Sequence, residues 1–343
     1  GDGAGALEQR VARVHLNPIM QIFDNTNFDF LKWRWHAIAL SSLVILAGIA
    51  MMVTRGMPLG IDFSGGTVVI VRFQQSTGED RVRAALDPLP GEKVVQEYGD
   101  PAQNEIMIRL PQAVQEQGTA LENASLQVVD VLKKGSLGQF DVISTEIVGP
   151  VIGAELQRKG IYATLASMVG ILAYIALRFR FSFGVGAIVA VFHDVLVTVA
   201  FLTFFGYELS LNVVAALLTM TGYSVNDTIV IFDRVRENTR SQRRDSLADV
   251  VNRSVNQTLG RTIITAGATA LSVLALYLFG GEVLRGFAFT MLVGIVTGTY
   301  STVFIAAAVA ILMSRAKIGA ATSAPAAKVE LTSSRKARKA KAS

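Results

Sequence analysis

Long apolar runs separated by short polar segments occupy most of the chain. A helix needs about 20 mainly apolar residues to cross the hydrocarbon layer, because lipid offers unpaired backbone groups no hydrogen-bond partner. The runs of sufficient length are residues 36–54, 160–177, 183–205, 211–232, 259–279 and 286–313. The pattern therefore predicts an α-helical polytopic membrane protein with six transmembrane helices. A polar segment precedes the first run, which favours a retained anchor over a cleaved signal peptide.

The distribution of Lys and Arg predicts the orientation, since short basic loops are retained in the cytoplasm. Basic residues lie before the first run, between the second and third, between the fourth and fifth, and after the sixth, whereas the other short loops carry one at most. Both termini are then cytoplasmic. The remaining predicted parts are a cytoplasmic segment 1–35, an external domain 55–159, a cytoplasmic loop 233–258 and a basic cytoplasmic tail 314–343. The tail serves as a topology anchor, or its positive charge attracts anionic membrane lipid or a ribosome-like polyanion.

The segment after the first run has the pattern of a small α/β domain. Apolar residues alternate along the predicted strands and recur at helical spacing in the predicted helices, with Gly, Asp and Pro at the turns. The predicted strands are 66–75, 94–98, 106–110 and 140–148, and the predicted helices are 79–86 and 120–134. The order βαββαβ predicts a ferredoxin-like domain between membrane helices one and two.

Composition supports the membrane interpretation and narrows the chemistry. Apolar residues make up 51% of the 343 residues and charged residues 17%, against about 25% charged in soluble domains. The chain has no Cys, and its three His are not at ligand spacing from one another, so we expect no metal site and no cofactor. The sequence has no pattern of basic residues interleaved with aromatic residues, so it does not predict nucleic-acid binding.

Two ionisable residues lie inside predicted membrane helices, near the same end of the bilayer. Asp227 is in the fourth run and Arg261 is in the fifth. A charge at membrane depth costs at least ~2.5 kcal/mol and usually marks an ion or proton pathway. Since these helices run antiparallel, the two side chains are at similar depth, and we predict that they are partners. Burial and a nearby Arg act in opposite directions on a carboxyl group, which favours reversible protonation.

Further polar residues surround this pair. A stripe on the fifth helix contains Thr258, Arg261, Thr265, Thr269 and Ser272, flanked by Thr262. Tyr223, Ser224 and Asn226 precede Asp227 on the fourth helix. Their hydroxyl and amide groups either support a proton wire or hydrogen-bond neighbouring helices.

His193 and Asp194 lie near the middle of the third predicted helix. Ionisable residues at that depth are candidates for a second proton-relay position. A static hydrogen-bonded pair that holds helices together explains them equally well.

Several motifs in order resemble the SecD/SecF family of bacterial protein-export membrane proteins, and specifically its SecF branch. The motifs are Gly60-Ile61-Asp62-Phe63-Ser64-Gly65-Gly66, Val148-Gly149-Pro150, Gly222-Tyr223-Ser224-Val225-Asn226-Asp227-Thr228-Ile229-Val230, Asp233-Arg234-Val235-Arg236-Glu237-Asn238 and Arg261-Thr262-Ile263-Ile264-Thr265. The resemblance covers roughly residues 30 to 315, and a series of motifs in the right order is specific.

The resemblance implies one half of an RND-like, proton-driven assembly in a bacterial cytoplasmic (inner) membrane. The partner SecD would supply the other six helices, and the pair would assist the SecYEG channel, often with YajC, in moving exported unfolded polypeptide. Asp227 falls on the proton-site Asp of the family, and Arg261 and Thr265 fall on its polar partners. The implied protein is not an enzyme and uses protons as the coupling ion.

Two other classes of function stay open from the residues alone. One is a half-size RND-type exporter of lipids or small molecules, for which an external domain of about a hundred residues offers little room. The other is a passive scaffold, in which Asp227 and Arg261 would form a static buried pair that apolar residues could replace.

Overall fold

The computed structural model describes residues 26–89, 93–99, 101–110, 119–135, 137–241 and 245–322. Helices of the membrane-spanning class dominate it. The described part of the chain contains six helices that are long and apolar enough to cross a bilayer, as predicted. They are Phe30–Arg55, Val151–Arg178, Phe181–Phe204, Leu211–Ser241, Leu247–Phe279 and Val283–Ser314.

The elements are numbered here in chain order. The helices are α1 (Arg34–Arg55), α2 (Ile61–Ser64), α3 (Glu79–Ala85), α4 (Thr119–Lys134), α5 (Pro150–Arg178), α6 (Phe181–Phe204), α7 (Leu211–Ser241), α8 (Leu247–Phe279), α9 (Glu282–Ser301) and α10 (Ala307–Thr322). The strands are β1 (Gly66–Phe73), β2 (Val94–Tyr98), β3 (Glu105–Leu110) and β4 (Phe140–Val148). A π-helical turn, Thr302–Ala306, joins α9 to α10.

The centre of the helix bundle is formed by α6, α7 and the α9–α10 pair, whose facing residues are small or buried. Gly186 on α6 lies so close to the π-helical turn that an added Cβ would be 2.5 Å from the carbonyl oxygen of Ala306. Such proximity is typical of membrane helices, in which small residues let backbones approach. The helices α1, α5 and α8 are much less buried, and their apolar faces point outward, as expected for helices that meet lipid or another subunit.

The sheet domain, residues 61–148, has the predicted ferredoxin-like topology. Its described strands form one antiparallel sheet in the order β2-β3-β1-β4. The register pairs Val69 of β1 with Ile108 of β3 and with Thr145 of β4. One sheet face packs on α3 and α4, with Val82, Val128 and Leu132 fully buried. The apolar alternation along β1 supplies this core, as its sequence pattern predicted.

Two helices continue past the apolar runs from which they were predicted. The predicted cytoplasmic loop 233–258 is mostly helical, since α7 extends to Ser241 and α8 begins at Leu247. Charged pairs replace lipid contacts there, for example Arg234 with Glu237 three residues later on α7. Likewise, α5 begins at Pro150 rather than at residue 160. The cluster of basic residues in the tail after residue 322 lies outside the described residues.

Candidate functional site

Asp227 is held between two membrane helices. Its carboxylate oxygen Oδ1 accepts a hydrogen bond from the hydroxyl of Thr262 on α8, at 2.7 Å. Its other oxygen, Oδ2, is buried and has no hydrogen-bond partner among the described residues. A buried oxygen without a partner is costly while the carboxylate is charged. The geometry therefore leaves one oxygen available to carry a proton.

Arg261 forms no ion pair with Asp227 among the described residues, although its charge acts on that carboxyl group. Its side chain is exposed, and it pairs with no acidic residue in the part of the chain that the structure describes. Successive residues of a helix point about 100° apart, so the orientation that brings Thr262 to Asp227 turns Arg261 toward the open side of α8. There Arg261 lines a cleft of about 650 Å³ between α7 and α8, with Arg234 and Gln257.

The hydroxyls of the α8 stripe bond to their own helix. Thr265 donates to the carbonyl oxygens of Arg261, at 2.9 Å, and Thr262, at 3.1 Å. Thr258, Thr269 and Ser272 also donate to carbonyls one turn earlier. Among the described polar residues of this set, Thr262 and Ser224 are the ones whose hydroxyls donate to a neighbouring helix. The role of Thr265 in proton transfer stays a prediction.

A second buried carboxylate lies in the centre of the bundle. Asp194 on α6 is fully buried. Its Oδ2 accepts hydrogen bonds from Ser224 on α7, at 2.5 Å, and from Ser301 on α9, at 2.9 Å. The Nδ1 atom of His193 is 3.0 Å from its Oδ1. Asp194 thus ties three helices together, and Ser224 links it to the helix that carries Asp227.

His193 extends this polar cluster toward α1. Its ring stacks on Tyr300 with 6.1 Å between centroids, and Tyr300 donates a hydrogen bond to the carbonyl oxygen of Ala37, at 2.6 Å. The Nε2 atom of His193 is buried without a partner among the described residues. Both alternatives for the His193 and Asp194 pair, relay and static tie, are compatible with these contacts.

The remaining candidates on α7 occupy different positions. Tyr223 is half-buried beside an apolar cluster that contains Met220 and Val273, and Asn226 is exposed. Among the described residues neither forms a hydrogen bond with Asp227, so they are neighbours of the carboxylate in sequence rather than its hydrogen-bond partners.

Close packing of α9 on α7 sets the position of Ser224. An added Cβ at Gly298 would be 2.9 Å from the Cβ of Ser224, and one at Gly294 would be 2.7 Å from the Cβ of Met220. The spacing Gly294 to Gly298 places both glycines on one helix face. Ser301, one turn further, was missed from the sequence, although this run of small residues was the available signal.

The motif at residues 60–66 connects the sheet domain to the membrane helices. The carboxylate of Asp62 accepts a hydrogen bond from the backbone N–H of Leu211, the first residue of α7, at 2.8 Å. Gly60 N–H donates to the carbonyl oxygen of Leu209, at 2.9 Å. The first N–H groups of a helix have no partner within the helix, so Asp62 caps α7 from another part of the chain.

The backbone conformation explains the two glycines that end the motif. Gly65 has φ of 70° and Gly66 has φ of 127°, values that residues with a Cβ rarely adopt. Phe63 is buried next to them. Gly149 is the N-cap of α5 and Pro150 its first residue, an arrangement that proline favours because its N–H would be unpaired there.

A charged pair that the sequence analysis missed reinforces this junction. Arg109 of β3 pairs with Glu208 in the loop before α7, and it donates a hydrogen bond to the carbonyl oxygen of Leu59, at 3.2 Å. Arg109 is 8% exposed, and burial lowers the pKa of its guanidinium from the ordinary value. Nothing in the spacing of residues 109 and 208 signals the contact, because it depends on how the sheet docks.

Comparison with known proteins identifies the family. The model for the C-terminal part of the protein export membrane proteins SecD/SecF matches residues 127–316, and the SecD/SecF GG motif matches residues 50–77. The chain belongs to the SecD/SecF family. The resemblance drawn from the motifs is thereby confirmed, and the contacts of Asp62 are contacts of the family's GG motif.

Similar proteins are named protein translocase subunit SecF. The one from Magnetococcus marinus is 43% identical, with 88% of this chain and 98% of the relative covered. That from Koribacter versatilis is 38% identical, with 84% and 92% covered. That from Escherichia coli O157:H7 is 39% identical, with 83% and 87% covered.

Solved structures give the same fold. SecDF from Thermus thermophilus, described as a translocon-associated membrane protein, has a TM-score of 0.76 and 35% identity over 85% of this chain. SecDF in a super-membrane-facing form has a TM-score of 0.64 and 36% identity over 88% of it. This chain spans 39% and 40% of those longer SecDF chains.

Proposed function

We propose that this chain pairs with SecD and uses the proton-motive force to assist SecYEG-dependent movement of unfolded polypeptide across the bacterial cytoplasmic membrane. The observation that carries the proposal is Asp227, a carboxylate in a membrane helix with one oxygen bonded to Thr262 and the other buried without a partner among the described residues. Such a group gains from binding a proton, because burial disfavours the charged form of a carboxyl group.

Protonation of Asp227 changes how α7 meets α8. A hydroxyl bonds more strongly to a charged carboxylate than to a neutral acid, so each protonation weakens the contact with Thr262. A proton that crosses 100 mV supplies ~2.3 kcal/mol, which is enough to shift a two-state rearrangement of similar size.

The Asp62 contact connects α7 to the sheet domain, so a movement of α7 on protonation of Asp227 also moves that domain. Residues 211 and 227 are both on α7, about 24 Å apart along the axis. Asp62 holds the start of that helix, and the Arg109 and Glu208 pair holds the loop before it. A shift or tilt of α7 is therefore transmitted to the sheet. By the basic-loop rule the sheet domain faces outward, where it would act on the emerging chain, and both termini are cytoplasmic.

The exposed side of α8 supports the pairing with SecD. Arg261 and Thr265 are both exposed there, and exposed polar groups at membrane depth call for a protein partner. The similarity to SecDF chains more than twice as long as this one fits that partner. YajC is a further proposed partner by family resemblance.

The test uses Asp227→Asn in vesicles that contain this chain, SecD and the channel. We expect normal insertion but no stimulation of export by an imposed proton gradient. The matched control is Asp245→Asn, which removes a carboxylate paired with Arg253 outside the apolar run, and we expect it to keep the stimulation. Gradient-dependent export at the wild-type level by Asp227→Asn would refute the proposal.

A double variant separates energy coupling from a passive scaffold. Asp227→Leu combined with Arg261→Leu leaves no membrane charge at this site. A scaffold would tolerate the exchange and keep full gradient-dependent export. We expect the complex to assemble and the gradient effect to be lost, as measured by protease protection of a translocated reporter.

A further inference from the structure

A cavity of about 410 Å³ lies beside the GG motif, at the membrane boundary next to the sheet domain. Its wall is mainly apolar and is formed by α5, α6, α7 and the segment that precedes the motif, with Phe63, Ile161, Val199 and Leu217 among its residues. The volume is in the range of ligand sites. Because the cavity lies among membrane-spanning helices and is partly open, a lipid acyl chain has direct access to it.

The helix α5 leaves this side of the bundle accessible. Few of its side chains are buried, and Ile161 and Leu165 are 53% and 56% exposed although they line the cavity. Their outer surfaces therefore meet hydrocarbon. A lipid acyl chain that enters between α5 and α7 exchanges its contacts with other lipids for contacts with the cavity wall.

Basic residues adjoin lining residues of the cavity in sequence, at the ends of two apolar runs, where headgroups are expected. Arg55 ends α1, two residues before Met57, which lines the cavity. Arg158 follows Gln157, another lining residue, and Lys159 is next. Lys159 is paired with Glu155, at 2.8 Å. Within the described residues neither Arg55 nor Arg158 forms an ion pair.

The acidic residues near this boundary are already engaged. Asp62 accepts from Leu211, Glu208 pairs with Arg109 and Glu155 pairs with Lys159. Four basic residues (Arg55, Arg109, Arg158 and Lys159) and three acidic residues (Asp62, Glu155 and Glu208) leave a net charge of +1 among these groups, and in the described part of the chain no ion pair holds Arg55 or Arg158. Each basic residue near a membrane surface attracts anionic lipid.

We propose that the cavity binds one acyl chain of an anionic phospholipid whose phosphate lies at Arg55 and Arg158. The bound chain contacts Phe63 of the GG motif and Leu217 of α7 together. It therefore fills the space between the two parts that Asp62 joins. The proposal does not depend on the proton chemistry of Asp227.

The test is native mass spectrometry of the full chain released from bilayers of equal phosphatidylglycerol and phosphatidylcholine. We expect wild type to retain one phosphatidylglycerol with a preference of roughly tenfold or more. Ser167→Trp fills the cavity and is expected to lose the lipid, whereas Ala166→Trp, on the exposed side of α5, is expected to keep it.

A charge variant tests the headgroup separately and leaves the cavity intact. Arg55→Gln with Arg158→Gln is expected to retain a lipid but to lose the preference. Its control is Lys32→Gln with Arg180→Gln, two exposed basic residues at the opposite boundary. Equal retention by Ser167→Trp and wild type, retention of detergent or phosphatidylcholine alone, or an unchanged preference in the first double variant would each overturn the proposal.

Discussion

Replacing Asp62 by Ala removes the cap that the sheet domain places on α7. The bond that is lost joins a carboxylate to the N–H of Leu211, at 2.8 Å. A hydrogen bond to a charged group contributes about 1.5–3 kcal/mol, and loss of a capping residue costs about 0.5–2 kcal/mol. Ser210 still caps the helix locally through Val213 N–H, at 3.3 Å, so the helix itself persists. We take about 2 kcal/mol as the local loss.

Hydrogen exchange at the start of α7 measures this loss directly. A local destabilisation of about 2 kcal/mol makes opening roughly 30-fold more frequent, so the Leu211 amide is expected to exchange about 30-fold faster in Asp62→Ala. Asp62→Asn keeps an acceptor oxygen and loses the charge near the helix N-terminus, about 0.3–1 kcal/mol. We therefore expect it to exchange no more than about fivefold faster.

The control for the sheet domain is Asp141→Ala, an exposed position on β4. We expect no change in exchange at Leu211. If Asp62→Ala left the Leu211 amide exchanging at the wild-type rate, Asp62 would not hold the helix, and the proposed route from Asp227 to the sheet domain would be wrong.

Three further predictions concern packing and polar contacts. Gly186→Ala adds a Cβ 2.5 Å from a backbone oxygen, and we expect this overpacking to lower the free energy of unfolding by about 1–3 kcal/mol in thermal unfolding. Its control is Gly170→Ala, in which no atom lies within 4 Å of the added Cβ. We expect this variant to be neutral or slightly stabilising. Glu208→Gln leaves the buried Arg109 without its charged partner but keeps an acceptor oxygen, and we expect about 1–3 kcal/mol of destabilisation by denaturant titration. Unchanged stability would contradict this. Asn256→Ala removes hydrogen bonds to both backbone groups of residue 28, so proteolysis ahead of α1 should become faster, and an unchanged rate would show that these bonds do not hold the segment.

Residue types and their spacing determined the architecture in advance. The six apolar runs predicted six membrane helices, because apolar stretches of that length favour lipid and only a helix pairs all their backbone groups there. The alternation along β1 and the order of elements predicted the ferredoxin-like sheet, since one face had to be buried. The free-energy cost of a charge in the membrane likewise indicated Asp227 as a candidate proton-binding residue from the sequence.

The partners of those residues were decided by the tertiary structure. Spacing placed Arg261 and Thr262 next to each other, but the rotation of α8 about its axis decided that Thr262 bonds to Asp227. Helix ends beyond the apolar runs depended on charged pairs at the surface. The contacts of Asp62 with Leu211 and of Arg109 with Glu208 join residues about 150 and 100 positions apart. A one-dimensional pattern records which faces are apolar, whereas docking geometry decides which polar atoms meet.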